Sequence, residues 1–191
     1  IFASLAIERA NYYSLAGQLK ELSITDSLTG LFNRRYFEER LVEEMNRSLR
    51  HDLKFSLAMM DIDDSKQFND AEGHLIGDEI LKYIANVSRE CLRVSDVISR
   101  FGGEEFAIIM PQTEKDEAFL VAERIRKSIK EQIPQIWKKF PRKNITITIG
   151  VSTFPEDGDN RRDLIRNADR ALYRGKIEGK DRTIVFGREY S

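Results

Sequence analysis

Apolar residues recur along this chain at two alternating periods, and the alternation predicts a fold before any chemistry is considered. Phe37, Leu41, Met45 and Leu49 predict a helix with one buried stripe, opened by Asn33 as its N-cap. Phe55 to Met60 is a short apolar run of strand length that stops abruptly in Asp61-Ile62-Asp63-Asp64. Ile80, Leu81, Ile84, Val87 and Cys91 predict a second helix, and Ala118, Ala122, Ile125 and Ile129 a third. Between them, Val97 to Phe101 and Phe106 to Met110 flank Gly102-Gly103 as a β-hairpin. Ile145 to Val151 alternates Ile with Thr and predicts a half-exposed strand. Leu164, Ile165, Ala168, Ala171 and Leu172 predict a fourth helix before a closing strand near Thr183 to Phe186. The order α-β-α-β-β-α-β-α-β implies an α/β (α+β) domain: a mixed central sheet with flanking helices, close to a ferredoxin-like palm.

Residues 1–22 have a different pattern. Leu5, Tyr12 and Leu19 form one heptad series, and Ile1, Leu15 and Leu22 another. Roughly three heptads fit either a coiled-coil seam or an amphipathic helix packed on its own domain. We expect a helical stalk at 1–22 and the main domain at 23–191.

With 191 residues, 41% hydrophobic and 33% charged, the chain suits one domain with a real core plus a short appendage. Lys and Arg number 31 against 32 Asp and Glu, so no basic field exists to hold polymeric nucleic acid. The single cysteine, Cys91, excludes an internal disulfide and reads as a buried reduced thiol, which fits a cytoplasmic setting. No apolar run approaches the roughly 20 residues that span a bilayer, and no signal peptide is visible. The chain opens at Ile1 rather than Met, so we expect part of a longer protein.

Asp61 and Asp63 leave one face of an extended chain, but acids often end strands simply because loops are solvated. The segment Arg100-Phe101-Gly102-Gly103-Glu104-Glu105-Phe106 adds two carboxylates that open an otherwise apolar strand. Charges bordering a core need partners. A hard divalent cation such as Mg²⁺ takes carboxylate and carbonyl oxygens and shares its remaining sites with phosphates. Asp61, the Ile62 carbonyl and Glu104 supply that set if the first strand lies beside the hairpin.

That hairpin segment resembles the signature of the GGDEF family of diguanylate cyclases in its GGEEF form. Thr25 to Arg35 is similar to the family's opening motif, and Asp61 to Asp70 to its metal and nucleotide strand. Gly73-His74 with Gly77-Asp78, then Ile149-Gly150-Val151 with Pro155, Asp157 and Gly158, agree in order. Ala168 to Tyr173 with Lys176, Gly179 and Lys180 completes a likeness running from about Ser23 to Phe186.

The resemblance implies condensation of two GTP molecules into cyclic di-GMP. Asp61, Ile62 and Glu104 would hold Mg²⁺, with Mn²⁺ able to substitute. Glu105 would be a further ligand or help deprotonate the attacking 3′-hydroxyl. Asn69 and Asp78 would read guanine, because a carboxylate accepts from N1–H and the exocyclic amine. Lys66, Lys176 and Lys180 would meet phosphate, the last two sharing a helical face. Asp64 and Ser65 would line the phosphate loop, and Gly102 and Gly103 would let backbone approach the nucleotide. Each protomer would hold one GTP, so the reaction needs a homodimer. Arg93, Asp96 and Arg124 match the family's product-inhibition site, where cyclic di-GMP binds as feedback ligand. The wording of the stalk also looks like the last helix of a GAF sensory domain, implying an upstream sensory partner.

Two positions depart from the family pattern. Ser65 stands where Phe is usual, which removes an apolar contact beneath the nucleotide loop, and Asp181 replaces a frequent Asn. His74 reads as a structural residue near a helix start, and His51 as a surface loop residue. Two rivals stay open: a receptor that binds cyclic di-GMP or GTP without turnover, and a cyclase that makes a mononucleotide on the same palm.

Overall fold

A computed structural model describes residues 24–136 and 145–188. The stalk expected at 1–22 lies outside the described residues. The strands are β1 (Phe32–Asn33), β2 (Phe55–Ile62), β3 (Val97–Arg100), β4 (Glu105–Pro111), β5 (Ile147–Phe154) and β6 (Thr183–Val185). The helices are α1 (Arg34–His51), α2 (Ser65–Glu72), α3 (His74–Glu90), α4 (Lys115–Ile136) and α5 (Arg161–Ile177). One mixed sheet runs β1-β3-β4-β2-β5-β6, with β2 antiparallel to both neighbours and the outer pairs, β1 with β3 and β5 with β6, parallel. This is the mixed, helix-flanked sheet expected from the pattern.

Strand periodicity sorts the core onto two faces. Ala58, Met60 and Ile62 of β2 join Ile84, Ala122 and Ile125 of α3 and α4. Leu57 and Met59 point the other way and join Phe37, Leu41, Leu164 and Leu172 of α1 and α5. Phe37, Phe55 and Phe106 are each 0% exposed, and burial of side chains this large stabilises by roughly 1.5–3 kcal/mol apiece. Asn33 caps α1 as expected, its side chain accepting from the Tyr36 amide at 3.0 Å.

The structure departs from the sequence reading in several places. Leu49 is 66% exposed, and Ser48 takes the buried position, so the apolar stripe of α1 ends one turn early. Cys91 is half-buried rather than fully buried, and His51 is the last residue of α1, not a loop residue. The strand expected to be half-exposed, β5, is buried along its whole length. Its hydroxyls face partners, not water: Ser152 Oγ donates to the Leu164 carbonyl at 2.9 Å, and Ser56 and Thr153 hydroxyls meet at 2.8 Å. Helix α5 lies directly on β5. A Cβ at Gly150 would sit 2.2 Å from the Ala168 carbonyl oxygen, and one at Gly175 would sit 2.7 Å from Thr148 Cγ2. Among the described residues no helix is long and apolar enough to cross a membrane.

Candidate active site

The end of β2 and the start of β4 lie side by side because the antiparallel register sets Asp61 directly opposite Glu105. Directly opposite strand residues have Cβ atoms about 5 Å apart on one face. The two neighbouring segments expected to share acids are therefore adjacent. Asp61 is only 6% exposed, and Lys176 Nζ of α5 reaches Oδ1 at 2.8 Å. Burial pushes the Asp61 carboxyl above its ordinary range against the pull of Lys176, and the charges of Glu104 and Glu105 push it further.

The carboxylates of Asp61, Glu104 and Glu105 are the oxygen donors a hard divalent cation takes, while the Lys176 ammonium pairs with Asp61. Among the described residues, however, no three acidic, His or Cys side chains already converge as a metal-ligand group. Two of the candidate ligands are engaged elsewhere: Asp61 by Lys176, and Glu104 by Ser65, whose hydroxyl donates to Oε1 at 2.5 Å. To hold a cation, Asp61 and Glu104 would have to exchange these partners for it.

The other acids of the strand end behave differently. Asp63, buried, accepts from Thr146 Oγ1 at 2.7 Å, Thr148 Oγ1 at 2.6 Å and the Asp181 amide at 3.0 Å. Its carboxylate therefore ties β2 to β5 and to the loop after α5. Asp64 adopts a left-handed conformation (φ 55°) and pairs with Lys180 at 2.5 Å. Lys176 and Lys180 do not share a helical face, because α5 ends at Ile177 and Lys180 lies in the following turn with φ 62°. They still reach neighbouring acids.

Beside this cluster opens a cleft of about 230 Å³, lined among others by Ser65, Asn69, His74, Asp78, Gly103 and Glu104. Gly77 makes this possible: a Cβ there would meet Asn69 Oδ1 at 2.1 Å. Lys66 is exposed and is not among the residues lining the cleft. Neither hairpin glycine has a positive φ, so the turn does not need them for backbone freedom. Gly102 supplies space, since its Cβ would meet Glu105 Oε2 at 2.5 Å, whereas a Cβ at Gly103 would meet nothing within 4 Å.

Arg100 and Asp26 hold the hairpin tip, a role the sequence reading missed. Arg100 donates to the Gly103 carbonyl at 2.8 and 3.1 Å and to both oxygens of Asp26 at 3.3 Å. Both residues stand inside the motifs quoted above, but their pairing crosses 74 positions and leaves no local trace.

Arg93, Asp96 and Arg124 gather around the loop after α3. The Arg93 amide donates to Asp96 Oδ2 at 2.8 Å, and Arg124 Nη2 of α4 donates to the Cys91 carbonyl at 2.5 Å. Burial raises the Asp96 carboxyl even though Arg93 and Arg124 oppose it. Arg93 and Asp96 line a second cleft with Arg89 and Gly30, separate from the first.

Comparison with known proteins bears on this arrangement. A family model described as "Diguanylate cyclase, GGDEF domain" matches residues 23–182. "Diguanylate cyclase A" of Treponema denticola is 38% identical over 172 residues, covering 88% of this chain and 46% of that protein. "Diguanylate cyclase DgcP" of Pseudomonas aeruginosa is 40% identical over 174 residues, covering 91% of this chain and 26% of that protein. The chain thus spans half or less of these relatives. Among solved structures, the coiled coil and GGDEF domain of DgcB from Caulobacter crescentus, in complex with c-di-GMP, superposes with a TM-score of 0.85 at 27% identity. That match covers 96% of each chain.

Proposed function

The chain belongs to the GGDEF family, and from that premise we propose that it is a diguanylate cyclase that condenses two GTP molecules into cyclic di-GMP and two pyrophosphates. The observation that carries this reading is the pairing of Asp61 with Glu105 across the ladder, next to a cleft lined by Asn69 and Asp78.

In this reading Asp78 accepts from guanine N1–H and the 2-amino group, and the Asn69 amide faces O6 and N3. Adenine offers a different donor pattern at that edge, so the pair selects GTP. Lys176, Lys180 and Lys66 meet the triphosphate, with Asp64, Ser65 and the Gly102-Gly103 backbone around it. Asp61, the Ile62 carbonyl and Glu104, assisted by Glu105, would hold Mg²⁺ or Mn²⁺, which when bound supplies charge neutralisation to the phosphates and the departing pyrophosphate. With Asp61 holding such a cation, Lys176, now paired with Asp61, would be free to meet phosphate oxygens.

In this reading Glu105 also helps draw the proton from a ribose 3′-hydroxyl. The 3′ oxygen then attacks the α-phosphorus of the GTP on a second protomer, the bond to the β-phosphate breaks, and pyrophosphate departs. The symmetric attack closes the ring. Most of the work is positioning and electrostatics, so a domain of net charge −1 suffices. The homodimer this demands, the dimerising and sensory role expected of residues 1–22, and product binding at Arg93, Asp96 and Arg124 belong to the same proposal.

A second reading, a receptor that binds without turnover, draws on the bond that holds Glu104 to Ser65. Incubation of the dimerised domain with GTP and Mg²⁺, followed by chromatography of the products, decides between them. Cyclic di-GMP supports the cyclase; unreacted GTP favours the receptor; a cyclic mononucleotide overturns both.

A further inference from the structure

Asp181 is gripped from a distant helix. Arg126 Nη1 of α4 donates to Asp181 Oδ1 at 2.5 Å, and Lys130, one turn further along α4, pairs with the other oxygen. Arg126 is itself braced by Glu123, whose two oxygens accept from Nε at 2.8 Å and from Nη2 at 2.9 Å. The guanidinium side chain is left 13% exposed and the Asp181 side chain 24%. Burial acts against the Asp181 carboxylate, yet Lys130 and Arg126 hold it below the usual range. A linked network of this kind holds geometry in a way that an isolated surface pair does not.

What the network holds is a strained turn. Lys180 and Asp181 both lie in the left-handed region, with φ of 62° and 47°, where side-chain-bearing residues stay only if their surroundings over-determine them. The Asp181 amide donates to Asp63 Oδ2, anchoring the turn to the end of β2, and Lys180 Nζ stands 2.5 Å from Asp64. The segment is thus fixed from two sides: α4 holds the Asp181 side chain, and β2 holds its backbone.

We propose that Asp181 is a positioning residue for GTP binding: held by Arg126 and Lys130, it fixes the turn that aims the Lys180 ammonium at the triphosphate. This rests on the reading that Lys180 meets phosphate. A lysine side chain loses considerable freedom on being ordered, and a turn already held in place leaves less to lose when GTP binds. The charge on Asp181 is the part that matters, because it draws in two cations from α4 where a neutral amide would attract them weakly.

The test is steady-state kinetics of the dimeric enzyme with Lys180→Ala, Asp181→Ala and the double variant. Lys180→Ala should raise KM for GTP about tenfold with a smaller effect on kcat. Asp181→Ala should reproduce most of that rise, and the double variant should be no worse than Lys180→Ala, because one residue acts through the other. Asp181→Asn should fall between wild type and Asp181→Ala. Arg126→Gln leaves the turn sequence intact, and should raise KM in the same direction even where Asp181→Ala fails to fold. An unmoved KM in Lys180→Ala would remove the phosphate assignment itself. A raised KM there, beside wild-type KM in Asp181→Ala and Arg126→Gln or strictly additive losses in the double variant, would sink the positioning role alone.

Discussion

The Ser65 hydroxyl donates to Glu104 Oε1 across 2.5 Å, joining the start of α2 to the hairpin tip at the position where the family usually carries Phe. Glu104 is thereby held by a neutral partner that a cation has to displace. Ser65→Ala should lower the Mg²⁺ concentration needed for half-maximal turnover, by several-fold on the scale of one charge-assisted hydrogen bond. Titrating Mg²⁺ in the two proteins checks this; an unchanged midpoint would show that the bond does not compete.

Glu104→Ala should cost about 10²–10³-fold in kcat while the fold survives, since the side chain lies at the rim of the sheet and its loss removes charge complementarity rather than core packing. Circular dichroism and product formation measure the two halves of the claim. Undiminished turnover would exclude Glu104 from the reaction centre.

Asp61 gives a dependence on pH. Its carboxyl is raised in the folded protein, chiefly by burial and then by Glu104 and Glu105, against the pull of Lys176. A group raised on folding stabilises below its unfolded value, and that contribution is lost as pH climbs through the folded value. Metal-free domain should lose stability on passing from acid toward neutral pH at this site, and Mg²⁺ should restore more of it the higher the pH. Thermal unfolding with and without Mg²⁺ across that range reads the effect; a Mg²⁺ shift that shrinks with rising pH would contradict it.

Gly77→Ala should disable guanine recognition without touching a charged residue. The added methyl would lie 2.1 Å from Asn69 Oδ1, so the amide must swing out of the cleft. KM for GTP should rise roughly tenfold or more, as expected where a polar reader is displaced. Kinetics with GTP and a guanine-modified analogue would reveal whether discrimination falls in parallel; equal discrimination would place the reader elsewhere.

Arg93→Ala should relieve inhibition by cyclic di-GMP. The contact that shapes the loop is the Arg93 amide to Asp96, which survives the substitution, while the guanidinium that would meet the ligand is lost. Product affinity should drop by about 10–100-fold, the worth of hydrogen bonds to a charged group. An inhibition curve that does not move would remove this residue from the feedback site.

The chain's pattern foretold the parts of this fold whose cause is local. The run from Phe55 to Met60 reads as a central strand because both faces of β2 are covered, and the acids that end it point to a site only together with Glu104 and Glu105, which open an otherwise apolar strand. Partnerships across long separations stayed hidden. The alternation of Ile and Thr in β5 looks like a solvent face, yet Thr148 serves Asp63 across 85 positions and β5 is buried throughout. The two-residue β1 and the eight-residue α2 are too short for periodicity to register. The spacing of Lys176 and Lys180 suggested one helical face because it does not reveal where α5 stops.

The contact of α5 with β5 through Gly150 and Gly175 has a bearing on the chemistry next door. Lys176 follows Gly175 directly, so the height of its backbone above the strands is governed by two missing methyl groups. Restoring either one would act as a shim under the helix and withdraw the ammonium from Asp61, though neither glycine is among the residues lining the cleft. Here the tolerance of an electrostatic contact is written in atoms that are not there.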